Sequence, residues 1–564
     1  MKRSTITSLG LGGVSVALAV GTAWALGSLP TLRGHEAQNR AGYAIAVADV
    51  LGDANPEVIV GAPAYEAGQA PGLGQNADNA APSGPTGQVL IYRGTPDGPE
   101  ANPAIILHGE GPNDRFGTAI TAADLIDMGD GRNELVISAM LASGHDAYHS
   151  GCVYVFTGEI TIPAVPLGQI PELGVHDAIN QGNAVELCGT QYREHFGRAL
   201  AVGDFDGNGT KDLVVGAPWY LGEHGHDPAA PTVHPSEVYM AGATYFYSGP
   251  LAVGGGEIMG HMTMGEGFIA NYGESLLNIG DLDPPSGSEE LLVWAAGAGA
   301  HGHANPGLGY LVTWDPGFHP DGDVIGFDEP RIVIEGTSTT GRGNPALIGD
   351  LDGDGFSEIA VPTRAGPNGI DTTNAGGLYI MRGNLLAPPF STFDHADPIM
   401  SRSKLADVSL AAITGAGIED KFGWAAAKVG DSNLDQVVDF AVGAPWADGI
   451  LRASEIAGRV YIISGKSLTE VADQDHARAL TFKIGGNLNP TILTEYAGTG
   501  NDLMGQTLVA GSLTSSLPIA LLMGSPDHDA DPTVDMVIDI PGTNSNENSG
   551  AVFIHAAYTL NFLP

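Results

Sequence analysis

The chain has 564 residues with 82 glycines, 37 prolines and only 16% charged side chains, which excludes a predominantly helical protein, while 43% hydrophobic residues are ample for a core. Its formal net charge of −42, from 23 basic against 65 acidic side chains, argues against nucleic acid or an anionic membrane surface as partner, because few cations remain to neutralise phosphates. Cations are the natural counterions, and one large all-β domain is the simplest count.

At the amino terminus Lys2 and Arg3 precede an apolar stretch over 6–26, and Ala23-Trp24-Ala25 supplies small residues at the spacing a signal peptidase prefers. This pattern predicts a signal peptide over 1–25 and a secreted or cell-surface protein. The stretch also approaches the length of a membrane span, so an uncleaved anchor is the alternative and the one membrane contact foreseen.

From residue 42 onward a unit recurs. Its leading glycines are Gly42, Gly117, Gly197, Gly273, Gly343, Gly423 and Gly505, in steps of 75, 80, 76, 70, 80 and 82 residues. Each is followed by a short apolar run, an acidic or hydroxylic loop, and a second apolar run ending at or near Gly-Ala-Pro; the clearest copy spans 195–220. The two runs read as a hairpin of buried strands. A third strand, nearly always opened by glycine, follows at 87–94, 151–158, 242–249, 309–314, 376–383, 458–465 and 550–556, and a weaker fourth, such as 104–109, leads into the next unit. Units of this kind cannot bury their apolar faces alone. Seven units of four antiparallel strands predict a seven-bladed β-propeller over 29–564.

The pairs Phe116-Gly117, Phe196-Gly197 and Phe422-Gly423, with Gly61-Ala62-Pro63, Gly216-Ala217-Pro218 and Gly443-Ala444-Pro445, resemble FG-GAP repeats, the blades of integrin α-subunit propellers. The resemblance covers roughly residues 40–556. Units one, four, five and seven depart from it by replacing the phenylalanine, reading Ala41-Gly42, Tyr272-Gly273, Arg342-Gly343 and Met504-Gly505. By analogy, a strand within 29–35 is expected to supply the outer strand of the seventh blade and close the ring, the alternative being that 558–563 completes that blade itself.

The loops between first and second strands carry the chemistry. In unit three Asp204, Asp206, Asn208 and Asp212 take positions 1, 3, 5 and 9, with Gly209 at the turn. Hard oxygen ligands converging in this way suit calcium. Unit five repeats the pattern with Asp350, Asp352, Asp354 and Glu358, and unit six with Asp431, Asn433, Asp435 and Asp439. The resemblance implies the same, since integrin-type propellers hold calcium at these positions. Unit two keeps Asp124, Asp127, Asp130 and Glu134 in a loop two residues longer. Unit one places Leu51 at position 3 between Asp49 and Asp53, with Glu57 at position 9; unit four has Asp281 and Asp283 before a Pro-Pro insertion; unit seven reads SLTSSLP from Ser512 and is expected to be empty. For units one and four, carboxylates capping backbone amides without metal weigh equally with binding.

Cys152 and Cys188 fall on neighbouring strands of unit two and are read either as a disulfide or as two buried thiols. The sequon Asn208-Gly209-Thr210 is read as coincidence. Histidines gather after the second strands, at His145 and His149, His224 and His226, His301 and His303, and His528, on loops expected at the end of the ring opposite the acidic loops. A transition-metal or catalytic site there is weighed against simple solvation, and no catalytic motif stands out. The leading expectation is a calcium-stabilised, non-enzymatic extracellular module binding a protein or glycan, with 64–85, 218–240 and 526–547 as its ligand loops. The alternatives are a propeller enzyme or enzyme-associated module of hydrolase or lyase type, and a structural part of a cell envelope.

Overall fold

The computed structural model describes residues 31–556 apart from 34–39, 64–85, 127–131, 222–240, 252–260, 265–269, 298–306, 314–330, 337–343, 364–374, 393–400, 448–457, 473–479, 485–489, 498–502, 514–519 and 526–550, and gaps of one or two residues at 112, 145–146, 158–159, 161, 285–286, 416 and 418. Seven separate sheets follow one another along the chain, one per repeat unit. Blade three shows the plan. Ala199–Gly203 forms the inner strand, Asp212–Ala217 the second, Ala243–Tyr247 the third and His261–Met264 the outer, all antiparallel.

Each second strand is buried at every residue, as in Glu57–Ala62, Asp212–Ala217 and Asp439–Ala444. Both faces of the blade are therefore covered, which is why these segments read as unbroken apolar runs rather than as alternating ones. What covers them is the neighbouring blade. Seven hydrophobic clusters fill seven seams, from Ile59, Phe116 and Leu135 between blades one and two to Leu32, Val60, Leu522 and Val552 between seven and one.

The repeated glycines are required at those seams. A Cβ on Gly216 of blade three would lie 2.1 Å from the carbonyl oxygen of Gly273 in blade four, and one on Gly524 of blade seven would lie 2.1 Å from that of Gly42 in blade one. No other residue permits so close an approach of two backbones. The aromatic residue before the leading glycine packs into its own blade: Phe116, Phe196, Tyr272 and Phe422 stand edge-on or tilted to Tyr154, Tyr245, Tyr310 and Tyr461 at 5.1–5.7 Å.

Ring closure follows the amino-terminal expectation. Leu32–Arg33 pairs antiparallel with Ala551–Ala556 as the outer strand of blade seven, and Leu32 is buried. The uniform four-stranded count needs correcting, because three blades gain a fifth, parallel strand at their outer edge. Glu172–Gly174 joins Ile105–His108 of blade one, Ser403–Lys404 joins Ile332–Glu335 of blade four, and Leu480–Lys483 joins Ser409–Thr414 of blade five. Each arises in the long connection between third and outer strands of the following blade and pairs an edge that would otherwise present free amides and carbonyls. The turns Val175–Asn180 and Lys466–Ala472 in two of these connections are helical. Among the described residues no helix is long and apolar enough to cross a membrane, and 1–30 lie outside them.

Candidate metal centres

Four of the acidic loops share one backbone. Positions 4 and 6 are left-handed in blade three (Gly207 and Gly209, φ 70° and 87°), blade five (Gly353 and Gly355, 81° and 95°), blade six (Leu434 and Gln436, 61° and 74°) and blade one (Gly52 and Ala54, 73° and 67°). A non-glycine residue pays about 1 kcal/mol or more for that conformation, so blades one and six hold it against local preference. The aspartate at position 1 provides the restraint. Asp350 Oδ1 accepts from Gly353 N at 2.7 Å and Oδ2 from Gly355 N at 3.0 Å; Asp49 accepts the equivalent amides of Gly52 and Ala54 at 2.7 and 2.9 Å.

The acid that opens the second strand recurs in six blades, including the two whose loops are irregular. Glu57, Glu134, Asp212, Glu290, Glu358 and Asp439 are all 5% exposed or less, and each accepts a hydrogen bond from the amide of loop position 2: Val50, Leu125, Phe205, Leu282, Leu351 and Ser432. Burial raises the pKa of every one, that of Asp212 to about 6 and that of Glu358 to about 8, with the neighbouring acids adding to the effect. This residue thus has a backbone-holding role in every such blade. Whether a loop can also take a cation depends on the remaining oxygens.

Here the blades diverge. In blade five the second oxygen of fully buried Glu358, Oε1, has no hydrogen-bond partner, and ligand atoms of Asp350, Asp352 and Glu358 lie within 4.8 Å of one another. In blade three ligand atoms of Asp204, Asp206 and Asp212 gather within the same distance, and Asp204 Oδ1 is buried without a partner. An orphaned carboxylate oxygen inside an acidic cluster is costly, and a cation is the group that satisfies it. In blade six Asp431 accepts from Asp435 N and Gln436 N, Asn433 Nδ2 donates to Asp435 Oδ2, and Asp439 accepts from Ser432 and Gly465; among the described residues its acids form no comparable triad.

The last residue before the closing glycine of the third strand also faces the loop. It is Ser248 in blade three and Ser464 in blade six, whose hydroxyls donate to Asp206 Oδ2 at 2.6 Å and Asp435 Oδ2 at 3.2 Å. In blades one and five it is arginine. Arg93 Nη1 lies 2.7 Å from Asp53 Oδ2, while Arg382 Nη1 is 3.3 Å from Asp352 Oδ2. The consequences differ: although burial opposes it, bonds from Asn55 and Arg93 hold Asp53 below the usual carboxylate range, whereas burial and the charge of Asp354 keep Asp352 above it despite Arg382. Blade one, with Leu51 at position 3 and both Glu57 oxygens accepting from backbone, carries its own cation in Arg93.

Of the remaining predicted residues, Asp124 is exposed and Glu134 buried at the second strand, while Asp127 and Asp130 lie outside the described residues. Asn208 is exposed and its Oδ1 accepts from Thr210 N at 2.7 Å, so sequon and loop share these atoms. In blade four Asp281 accepts from Asp283 N. Cys152 and Cys188 are disulfide-bonded, directly opposite each other on paired strands. His145, His224, His226, His301, His303 and His528, with 64–85, 222–240 and 526–547, lie outside the described residues.

One repeated feature escaped sequence reasoning. The acid two residues before Phe-Gly clamps the turn ahead of it: Asp114, Glu194 and Asp420 accept from Gly111 N, Gln191 N and Gly417 N at 2.7–2.8 Å. Burial pushes Asp114 up to about 6 and Glu194 up to about 7. The spacing acid-x-Phe-Gly in units two, three and six was the available signal.

Comparison with known proteins agrees with this geometry. The FG-GAP repeat family matches residues 196–229, the clearest unit. The chain is 29% identical over 220 residues to integrin alpha-PS2 of Drosophila melanogaster and 30% identical over 192 residues to integrin alpha-IIb of Homo sapiens, covering 38% and 34% of this chain and 14% and 16% of those proteins. It is 34% identical over 139 residues to phosphatidylinositol-glycan-specific phospholipase D of Homo sapiens, 24% of this chain and 14% of that protein. The matched stretches are thus a small part of each relative's length. The matched repeat, the similarities and the seven blades together support an FG-GAP, integrin α-subunit-like β-propeller.

Proposed function

We propose that the chain is a calcium-stabilised extracellular propeller acting as a non-enzymatic adhesion or ligand-binding module, exported through the signal peptide read over 1–25. The observation that carries the metal part is the fully buried, unpartnered Oε1 of Glu358 beside Asp350 and Asp352. Calcium would be held there with Asp354, in blade three by Asp204, Asp206, Asn208 and Asp212, in blade six by Asp431, Asn433, Asp435 and Asp439, and in blade two by Asp124, Asp127, Asp130 and Glu134. Bound calcium supplies positive charge to buried carboxylates through hard oxygen ligands. Its role is structural, fixing one end of each blade so that the other end presents ligand loops from a rigid ring. The similarity to integrin α-subunits supports a macromolecular ligand, protein or glycan.

Calorimetric titration of chelator-treated protein with calcium tests this. Three or four ions per chain are expected, with one lost in each of Asp204→Ala, Asp352→Ala and Asp435→Ala. Absence of binding heat together with an unchanged melting curve in chelator would refute it. The similarity to phosphatidylinositol-glycan-specific phospholipase D favours a second reading, an enzyme-associated module. Activity appearing only when a separate catalytic protein is added to the propeller would distinguish that role from adhesion.

A further inference from the structure

The acidic loop of blade three is gripped from outside its own blade. Glu289 belongs to blade four, where it stands immediately before Glu290, the buried acid that opens the second strand Glu290–Ala295. Its backbone N–H donates to the carbonyl oxygen of Asp204 at 2.7 Å, and its Oε2 accepts from the N–H of Asp204 at 3.0 Å. One residue of the neighbouring blade therefore holds both backbone groups of the aspartate at position 1. The other oxygen, Oε1, accepts from Lys211 Nζ at 2.9 Å, and Lys211 is position 8 of the same loop. A single carboxylate of blade four thus ties the two ends of loop three together.

Blade four is shaped to bring it there. Its inner strand, Ser275–Gly280, shifts register between Asn278 and Gly280, and such a bulge re-aims a side chain. Asn278 Nδ2 donates to Glu289 Oε2 at 2.7 Å and, across the seam, to the carbonyl oxygen of Val202 at 2.9 Å, while its Oδ1 accepts from Gly280 N at 2.8 Å. Gly203 leaves the room for both: a Cβ there would lie 2.5 Å from Asn278 Nδ2 and 2.5 Å from Glu289 Oε2. Other seams use the corresponding residue differently. Between blades one and two it is Asn133, whose N–H and Nδ2 both reach the Asp49 carbonyl oxygen, at 3.1 and 3.4 Å. Between blades five and six it is Val438, packed 2.6 Å from where a Cβ of Gly349 would stand.

The grip bears on the ion. Asp204 Oδ2 accepts from Gly209 N at 2.9 Å, whereas Oδ1 is buried without a partner beside Asp206 and Asp212. With both of its backbone groups fixed, Asp204 is held in that arrangement before a cation arrives, and ordering completed in advance is ordering that binding need not supply. We propose that Glu289 is a positioning residue for the cation centre of blade three, so that this centre is completed by the neighbouring blade and its occupancy is coupled to closure of the seam between blades three and four. The inference rests on the calcium reading of blade three above, and adds which residue sets the affinity of that site and where the bound ion is felt. Coupling of this kind is reciprocal: an ion that needs the seam closed must in turn hold it closed.

The test is calcium titration of the full chain after chelator treatment, with melting curves and amide exchange measured on the same samples. Glu289→Ala should weaken one site by at least about tenfold and leave the others unchanged. Glu289→Gln, whose amide oxygen still accepts from Asp204 N, should recover most of that affinity. Asp204→Ala keeps the backbone groups that Glu289 holds, so adding Glu289→Ala to it should lower stability but change calcium binding no further. In the parent, calcium should slow exchange of the Glu289 amide, and in Asp204→Ala it should not. Equal lowering of the melting temperature in calcium and in chelator, with unchanged affinity, would reduce Glu289 to seam packing and overturn the proposal. A glutamine variant as weak as the alanine one would also overturn it, because charge rather than positioning would then be responsible. Should Glu289→Ala fail to fold, the glutamine variant and the parent's amide exchange still decide, and a Glu289 amide indifferent to calcium sinks the coupling. A parent chain that binds no calcium would refute the calcium reading and this inference with it, whereas calcium bound equally well by parent and Glu289→Ala refutes this inference alone.

Discussion

The inner strand of blade three, Ala199–Gly203, joins two unlike ends. Towards its carboxyl end lies Asp204, in a loop whose backbone and buried acid recur in blades one, five and six. Towards its amino end, at the other rim, lie Glu194 and His195; this corner too recurs, in blade six, as Asp420 with Lys421 against the Trp446 ring. Both ends bury a carboxylate, Asp212 and Glu194, but they stabilise it differently. At the loop end the acids crowd one another and leave oxygens without partners, a charge excess that an ion relieves. At the rim end Glu194 has donors from backbone and Tyr245 and is pushed up to about 7 by burial. Both ends are periodic, but the loop end repeats an acid cluster short of donors and the other end an acid satisfied by its own turn.

That contrast can be broken first at the loop end. Glu358→Gln should act with opposite sign in two media. With calcium at a thousandfold over its dissociation constant, loss of one site costs about 4 kcal/mol, while in chelator above pH 8, where the Glu358 carboxyl ionises, the variant should melt above the parent because a buried orphan charge is gone. Thermal melting in both media checks it; parallel shifts would mean that Glu358 serves packing alone. At the rim end, pH is the probe. The folded value of Glu194 stands above its ordinary 4.5, so the folded state holds an extra proton between about 4.5 and 7. Its contribution is complete below 4.5 and is lost as pH rises through 7, by up to about 3 kcal/mol. Glu194→Gln should flatten that part of the stability–pH curve, measured by urea unfolding.

Two smaller changes sharpen the same comparison within the loops. Leu51→Asp with Arg93→Ser should turn the blade-one loop into a further ion site, adding one calcium per chain and about 2.7 kcal/mol at hundredfold excess over the dissociation constant. Mass spectrometry under native conditions counts the ion. Arg93→Gln alone should cost less than about 1 kcal/mol, since Arg93 and Asp53 are both about one-third exposed and such pairs contribute little. A larger loss would show that the arginine does more than replace an ion.

What was legible in the sequence was what repeats. Glycine spacing announced seven blades because two backbones touch at several of the seams, as Gly216 and Gly273 do. The acidic pattern at Asp204 and Asp350 was visible because it too repeats. Fifth strands such as Glu172–Gly174 were not, because they occur in three connections of unrelated sequence and follow from a free edge in the preceding blade. Arg93 and Arg382 were hidden too, since both sit at a third-strand end, 44 and 32 positions beyond position 1 of their loops, and meet them only through blade geometry. The contact of His195 with Trp219 went unread although Lys421 on Trp446 repeats it in blade six, because each pair is separated by a whole strand hairpin and meets only in the folded blade.

The pairing of Leu32–Arg33 with Ala551–Ala556 also sets an order in time. The outer strand of the last blade is made before the described strands of blades one to six, and its partner is translated about 520 residues later. At about 5–20 residues per second the wait is roughly 25–100 s. Throughout it, blades one to six can dock in sequence as they emerge, while the edges of blades one and seven that will meet stay apart. The clasp therefore reports completion: a chain truncated anywhere before residue 551 keeps its opening strand without its partner, and it is the interval before closure, rather than the finished ring, that exposes this protein to misassembly with a second copy.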